Sequence, residues 1–530
     1  MDKRSRSWFR KAAKKRVHPL QQSVEQPLPP VADELLSAEL HENLKTFQDL
    51  FNECSDVVFR QFSLTDDVHG LLIFIDGIVD GKLISGHALK PLLIHLMKQE
   101  SLPITVNEVE EKGVMITQLS HVQKVSEALD GILSGNCLLM IDGQAKGLIL
   151  NAKGGKRRGI EEPATEASIR GPREGFNENL RTNTGLLRNK IKTPALKTVP
   201  FKIGKRTRTD VVLAYIDKVA DPAVIEEVTK RLNSIEIDGV LESGYIEELI
   251  EDNPYSPFPQ MQYTERPDTV AAQLLEGRFA IFVDGTPFVL IGPITFWQLL
   301  QASEDYYERY LIGNALRWLR LFFLFIALLM PATYTALITY HHDMLPTSLL
   351  YSVAAARESI PFPAIVEGLI MEITFEALRE AGVRLPKTIG QSVSILGALV
   401  IGTAAVEAGI VSAPKVIVVS ITGIASFTIP RYNAAITIRM LRFPLMFMAA
   451  SFGLFGMLIG VLLILVHLCQ LRSFGVPYLS GIAPYRPAEQ KDILFRAPWW
   501  KMVSRPGTYA KGQHNRMKSG MRPSPPDERS

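Results

Sequence analysis

Cysteine is scarce in this 530-residue chain, and none stands at a useful spacing. Cys54, Cys137 and Cys469 occur singly. That argues against a disulfide framework or a Cys-x-x-Cys centre and fits a reducing compartment or plain packing. Catalytic patterns are missing too. The ten histidines are dispersed, His341-His342 reads as an interfacial loop, and no His-Glu-x-x-His or Gly-x-Ser-x-Gly run occurs. Gly154-Gly155-Lys156 lacks the Walker spacing of a phosphate loop. An enzyme is therefore not expected, and no cofactor or metal is implied. No apolar core follows the N-terminal charges, so no cleavable signal peptide is expected and the N-terminal half should stay in the cytoplasm.

What is present divides sharply. The whole-chain averages, 47% apolar and net charge +3, hide a charge-rich stretch to residue 316 and an apolar one from Leu321 to Leu468. Residues 1–33 form a basic arm expected to be disordered, with eight Lys or Arg against one Asp in its first 16 positions. Two readings stay open: an arm lying on anionic lipid at about 1 kcal/mol per basic residue, or a solubilising tail. Nucleic acid is not an expected partner, because no second basic face follows.

Residues 34–152 read as an α/β subdomain. Val57–Phe62 and Leu71–Ile75 are strand-like, His87–Met97 and Val122–Leu133 helical, and Asp142-Gly143 suits a tight hairpin. After a linker over 153–176, residues 177–310 repeat the plan. Gly135-Asn-Cys-Leu-Leu-Met-Ile-Asp142-Gly143 aligns with Gly277-Arg-Phe-Ala-Ile-Phe-Val-Asp284-Gly285 at an offset of 277 − 135 = 142. Leu72–Asp76 aligns with Leu213–Asp217 at 217 − 76 = 141. Two segments sharing nearly one offset point to duplication, against the alternative that strand-turn-strand segments look alike by chance.

Residues 311–470 read as an all-α, multi-pass membrane domain. Leu321–Tyr340 and Phe443–Val466 carry no formal charge and can cross a ~30 Å core at ~1.5 Å per residue. Arg317 and Arg320 place the start of the first inside. Residues 388–411 are rich in small side chains that allow close helix approach. Four spans, 321–340, 388–411, 414–436 and 443–468, keep the basic 471–530 tail with the N-terminus. Leu345–Leu385 is then a partly inserted hairpin broken at Pro361 and Pro363. Basic residues near Arg431–Arg442 fit that count poorly. Glu372, Glu376 and Glu380 recur every four residues on one helical face, which lipid does not accept.

Several runs resemble the A subunits of bacterial spore germination receptors, the GerA family. They are Gly171–Thr184 with Leu187-Arg188, Asp284-Gly285-Thr-Pro-Phe, Pro361-Phe-Pro363, Glu367 with Glu372 and Phe375-Glu376, and Gly390-Gln-Ser through Glu407-Ala-Gly409. Ser426-Phe-Thr-Ile-Pro430, Arg442-Phe-Pro444, Arg472–Tyr478 and Arg496–Lys501 continue the match over about residues 40–505. The basic start, the tail after Arg505 and Arg431, where a small polar residue is expected, depart from it. The resemblance implies a place in the spore inner membrane, in a complex that senses small nutrients. The implied partners are a transporter-like B subunit, a lipoprotein C subunit and further A subunits. It also implies an oligomer that conducts monovalent cations.

On the residues themselves, Glu358, Glu367, Glu372, Glu376 and Glu407 are candidates for acidic rings along an ion path, with Pro361 and Pro363 as a hinge. The competing reading pairs these acids with Arg357, Arg379 and Arg384 or leaves them at the interface. Arg173, Glu174, Asn177, Arg181 and Asn183, on an expected helix after Gly171-Pro172, are candidates for subunit coupling, or else a solvated helix face. A non-conducting scaffold and a secondary transporter are the rival functions.

Overall fold

The computed structural model describes residues 34–64, 68–96, 109–110, 114–154, 162–163, 165–166, 168–384, 402–487 and 489–523. The basic arm, most of the 388–411 segment with Gly390-Gln-Ser, and part of the linker lie outside these residues.

Five strands, β1 (Val57–Ser63), β2 (His69–Ile75), β3 (Leu119–Val122), β4 (Cys137–Ile141) and β5 (Gly147–Leu150), make the first sheet in the order β1-β2-β4-β5-β3. β6 (Leu196–Ile203), β7 (Thr209–Ile216), β8 (Gln262–Thr264), β9 (Phe279–Val283) and β10 (Val289–Gly292) make the second in the order β6-β7-β9-β10-β8. The order is the same, and so is the register. Gly70 faces Ile141 in the first sheet, and Val211 faces Val283 in the second.

Hydrogen bonds repeat as well. Asn43 accepts from Ser37 N and donates to Ser37 O, and Asn183 does the same with Asn177. Asp142 Oδ1 accepts from Leu40 N at 3.1 Å, and Asp284 Oδ1 accepts from Leu180 N at 3.1 Å.

Alternation along the strands sorts side chains to two faces. In the second unit Val212, Ala214, Ala280 and Phe282 pack under helices α1 (Leu180–Lys190) and α2 (Pro267–Leu275). Val211, Leu213, Phe279 and Ile281 face the opposite way, against the Pro222–Asn233 and Ser243–Ile250 helices. Both faces are covered, which is why β9 reads as an unbroken apolar run.

The polar run of 171–183 is not one helix. Asn179 caps α1 by accepting from Thr182 N, so Arg173, Glu174 and Asn177 precede it in non-helical chain.

The C-terminal residues are no loose tail. In the first unit Val79 bridges Lys153; in the second the equivalent Ala220 bridges Ala510. Gly135 and Gly277 both adopt positive φ there. A side chain at Gly277 would come 2.8 Å from Tyr509 O. A segment more than two hundred residues away thus closes the second unit as residues 151–154 close the first.

The units are joined by strand pairing and charge. Ser55 N donates to Thr198 O, and Thr198 N to Glu53 O. Arg188 Nε and Nη2 reach Asp56 at 2.6 and 2.8 Å, and Thr198 Oγ1 donates to the same carboxylate. Arg188 and Asp56 are 1% and 0% exposed.

Beyond the second unit, Tyr310–Thr339 (α3) and Tyr432–Gln470 (α6) are long and apolar enough to cross a membrane. Thr347–Arg357, Ala364–Arg384 (α4) and Ala413–Phe427 (α5) lie between them. α6 is not straight. Gly453 has φ 62 and ψ −146, and Gly460 packs on Leu445 and Met448. Thr437 donates to Pro257 O while His467 meets Ser256 at 2.8 Å. In a straight helix residues 437 and 467 would stand about 45 Å apart. The helix therefore doubles back at Gly453, and both arms return to the second unit. This corrects the 443–468 span, which the reversal divides. The 414–436 span is interrupted as well, since α5 ends at Phe427 and Pro430 precedes the next helix.

An Arg188→Leu chain leaves Asp56 buried without its cation and should lose about 3–5 kcal/mol of stability. Thermal unfolding read by circular dichroism tests this, and an unchanged midpoint would refute the joint.

Candidate functional site in the helical region

Charge collects where apolar helices meet. α4 begins after Pro363, and of its acids Glu367 and Glu372 are buried while Glu376 is half-buried and Glu380 exposed. Glu367 is fully buried and accepts from Ser412 N at 2.6 Å and from the Ser412 hydroxyl, with Arg357 Nε at 3.6 Å. Glu372, 3% exposed, pairs with Arg442 Nη1 at 2.5 Å, and Arg442 Nε donates to Ala327 O in α3. Glu376 meets Arg439 at 3.1 Å, and Glu380 meets Arg384 one turn on.

Lys415 of α5 is fully buried without a carboxylate within 4 Å among the described residues. Its ammonium reaches Thr335 Oγ1 at 3.4 Å and lies 5.0 Å from the Tyr334 ring. Arg379 donates to Ser426 and stacks between Phe375 and Phe427. Ions left alone in such surroundings cost several kcal/mol each, so the pairing is what permits close helix packing.

The sequence-derived candidates separate into two groups. Glu367, Glu372 and Glu376 are engaged within one chain. Glu358 and Glu407 are exposed, with no basic partner among the described residues. The backbone segments that carry them meet, since a side chain added at Gly409 would lie 3.5 Å from Ser359 O. Pro361 and Pro363 occupy the turn between the Thr347–Arg357 helix and α4. Of the arginines expected as partners of these acids, Arg357 meets Glu367, Arg384 pairs instead with Glu380, and Arg379 has no carboxylate within 4 Å among the described residues.

The missing partners are Arg439 and Arg442. The signal for them was the awkward basic stretch before Phe443, which belongs inside a helix arm facing α4. Of the coupling candidates, Arg181 contacts the first unit through Ser55 O and Asp76, and Glu174 meets Lys190. Arg173 is largely exposed, with Glu162 at 3.9 Å, and Asn177 and Asn183 bond to each other. Arg188, one turn beyond this run, forms the strongest joint.

A second cluster sits at the base of α3. Arg320 Nη1 bonds both oxygens of the buried Asp305 at 2.7 Å. Arg317 reaches Asp492 O at 2.9 Å and Oδ1 at 3.2 Å, and Tyr306 OH donates to Asp492 Oδ2 at 2.8 Å. Burial pushes the Asp492 carboxyl up to about 6 against the pull of Arg317. Of the two arginines at the start of the first apolar helix, Arg317 is thus tied to the C-terminal segment through Asp492 and Arg320 to Asp305 just ahead of α3.

Arg442→Leu should cost about 3–5 kcal/mol by stranding Glu372, while Arg442→Leu with Glu372→Leu should recover most of it. Melting of the detergent-solubilised chain measures both, and equal losses would deny the coupling.

A sequence model of the family described as Bacillus/Clostridium GerA spore germination protein matches residues 45–508. The chain is 62% identical over 499 residues to the uncharacterized membrane protein YfkQ of Bacillus subtilis, covering 94% of this chain and 96% of that one. It is 45% identical over 509 residues to the B. subtilis spore germination protein KA, covering 95% and 92%. A crystal structure of the N-terminal domain of the A subunit of the Bacillus megaterium spore germinant receptor GerK3 aligns with 37% identity and a TM-score of 0.39. That alignment covers 50% of this chain and 98% of that one. With nine-tenths of its length matched at such identity, the chain belongs to the GerA family of spore germination proteins.

Proposed function

We propose that the chain is the A-type subunit of a nutrient-responsive germination receptor and forms, with further copies, a gated cation path in the spore inner membrane. Its soluble units lie on the core side. A transporter-like B subunit and a lipoprotein C subunit complete the complex. The reading rests on one observation: Glu358 and Glu407 are exposed at helix ends with no basic partner among the described residues, while Glu367, Glu372 and Glu376 each meet an arginine. Repeated around an oligomer, such a pair makes an acidic ring, which favours cations. The inner pairs would then hold the closed packing, and the Pro361–Pro363 turn would let α4 swing against it.

The neutralised trio also favours a second reading. A chain whose Glu367, Glu372 and Glu376 each meet an arginine of the same chain suits a rigid scaffold that relays a signal from the B subunit without conducting.

Glu358→Gln and Glu407→Gln separate the two. In liposomes carrying the assembled receptor, the conducting reading expects severalfold lower cation flux on nutrient addition, with assembly unchanged. Wild-type flux from both variants would leave only the scaffold.

A further inference from the structure

We propose that a cavity between the second α/β unit and the base of α3 binds a small organic carboxylate with a flat or branched apolar body. The cavity has a volume of about 320 Å³, near the small end of the range for ligand pockets. Four parts of the chain meet around it. α2 and the turn after it supply Asp268 and Glu276, the approach to α3 supplies Tyr306, the C-terminal segment supplies Trp499, Arg505 and Arg516, and Arg431 enters ahead of α6.

The charges do not balance. Glu276 is shared by Arg278 at 3.7 Å and Arg516 at 3.2 Å. Arg505 has no carboxylate partner among the described residues. Its guanidinium is held by the carbonyl oxygens of Leu275, Gln513 and Asn515 at 2.7–2.9 Å. Three guanidiniums therefore surround one carboxylate. Burial, then the neighbouring Arg516, lowers the pKa of Arg505, as expected where like charges crowd without a counterion. Arg516 Nε and Arg278 Nε and Nη1 are buried without a hydrogen-bond acceptor.

The nearby acids cannot supply the difference. Asp268 Oδ2 is taken by Arg266 at 2.9 Å and by the Tyr307 hydroxyl, its Oδ1 is buried without a donor among the described residues, and the Arg431 charge is spent on Glu166. A carboxylate entering the cavity would meet donors of the fork geometry that suits it.

The walls select the rest of the ligand. Tyr306 and Trp499 lie with ring centroids 6.1 Å apart, and Leu275, Ala272 and Ala302 continue the apolar lining. A bare inorganic anion would leave these surfaces unused. Arg516 also lies beyond residue 508, where the family match ends. The proposal does not depend on ion conduction.

The test uses the full-length chain in detergent, titrated with phenylacetate, phenylacetamide and inorganic phosphate and followed by calorimetry. Saturable binding of phenylacetate is expected, about tenfold or more tighter than either control. Arg505→Gln and Arg516→Gln should each weaken it about tenfold, with the ligand-free melting temperature confirming the fold. Trp499→Leu should weaken phenylacetate without creating a preference for phosphate. Absent saturation, equal binding of the neutral amide or of phosphate, or wild-type affinity in the arginine variants would each overturn the proposal.

Discussion

Most buried acids among the apolar helices meet an arginine, and the helical region is arranged around those pairs. Glu372 and Arg442 come from helices far apart in sequence, yet their contact at 2.5 Å fixes how α4 lies against the first arm of α6. Arg442 extends the constraint to α3 through Ala327 O. Shift any of these helices by one turn, about 5.4 Å, and two buried ions lose their partners together. The packing is therefore specified by a few polar contacts, while the surrounding Leu, Ile and Ala supply area without register.

The same physics joins the two α/β units. Arg188 and Asp56 are as inaccessible as any aliphatic core residue, and Thr198 fills the remaining acceptor capacity of the carboxylate. With the strand bridge through Cys54 and Thr198, this makes the two sheets one body. That body reaches the helices through an apolar joint in which Phe258, Ile294 and Leu300 pack with Ala327, Ile438 and Leu468. Movement of the helices and movement of the second unit are thus mechanically linked, while the first unit follows through Arg188.

Much of the soluble fold could be read directly. Strands betray themselves by apolar runs bounded by Asp-Gly turns, and the repeat showed because turn and strand residues recur at one offset. The paired Asn43 and Asn183 confirm it from hydrogen bonds that no composition reveals. The helical region was harder. Charge-free stretches marked α3 and the end of α6, but hydropathy cannot tell a long straight helix from one reversed at Gly453. Nor could spacing within α4 disclose that Glu372 and Glu376 answer to Arg442 and Arg439. Pairing across separate helices leaves no periodic trace. The C-terminal residues looked like a solvated basic tail because their partners, Ala220 and Gly277, lie far upstream.

That closure by residues near Ala510 bears on biosynthesis. On the ribosome the first α/β unit receives its final segment within its own stretch of chain and can mature at once. The second must wait, one edge open, until α3 through α6 have been synthesised and the C-terminal segment returns. Completion of the second unit thereby depends on synthesis as far as Ala510, so its edge closes only after the helices that precede that residue exist.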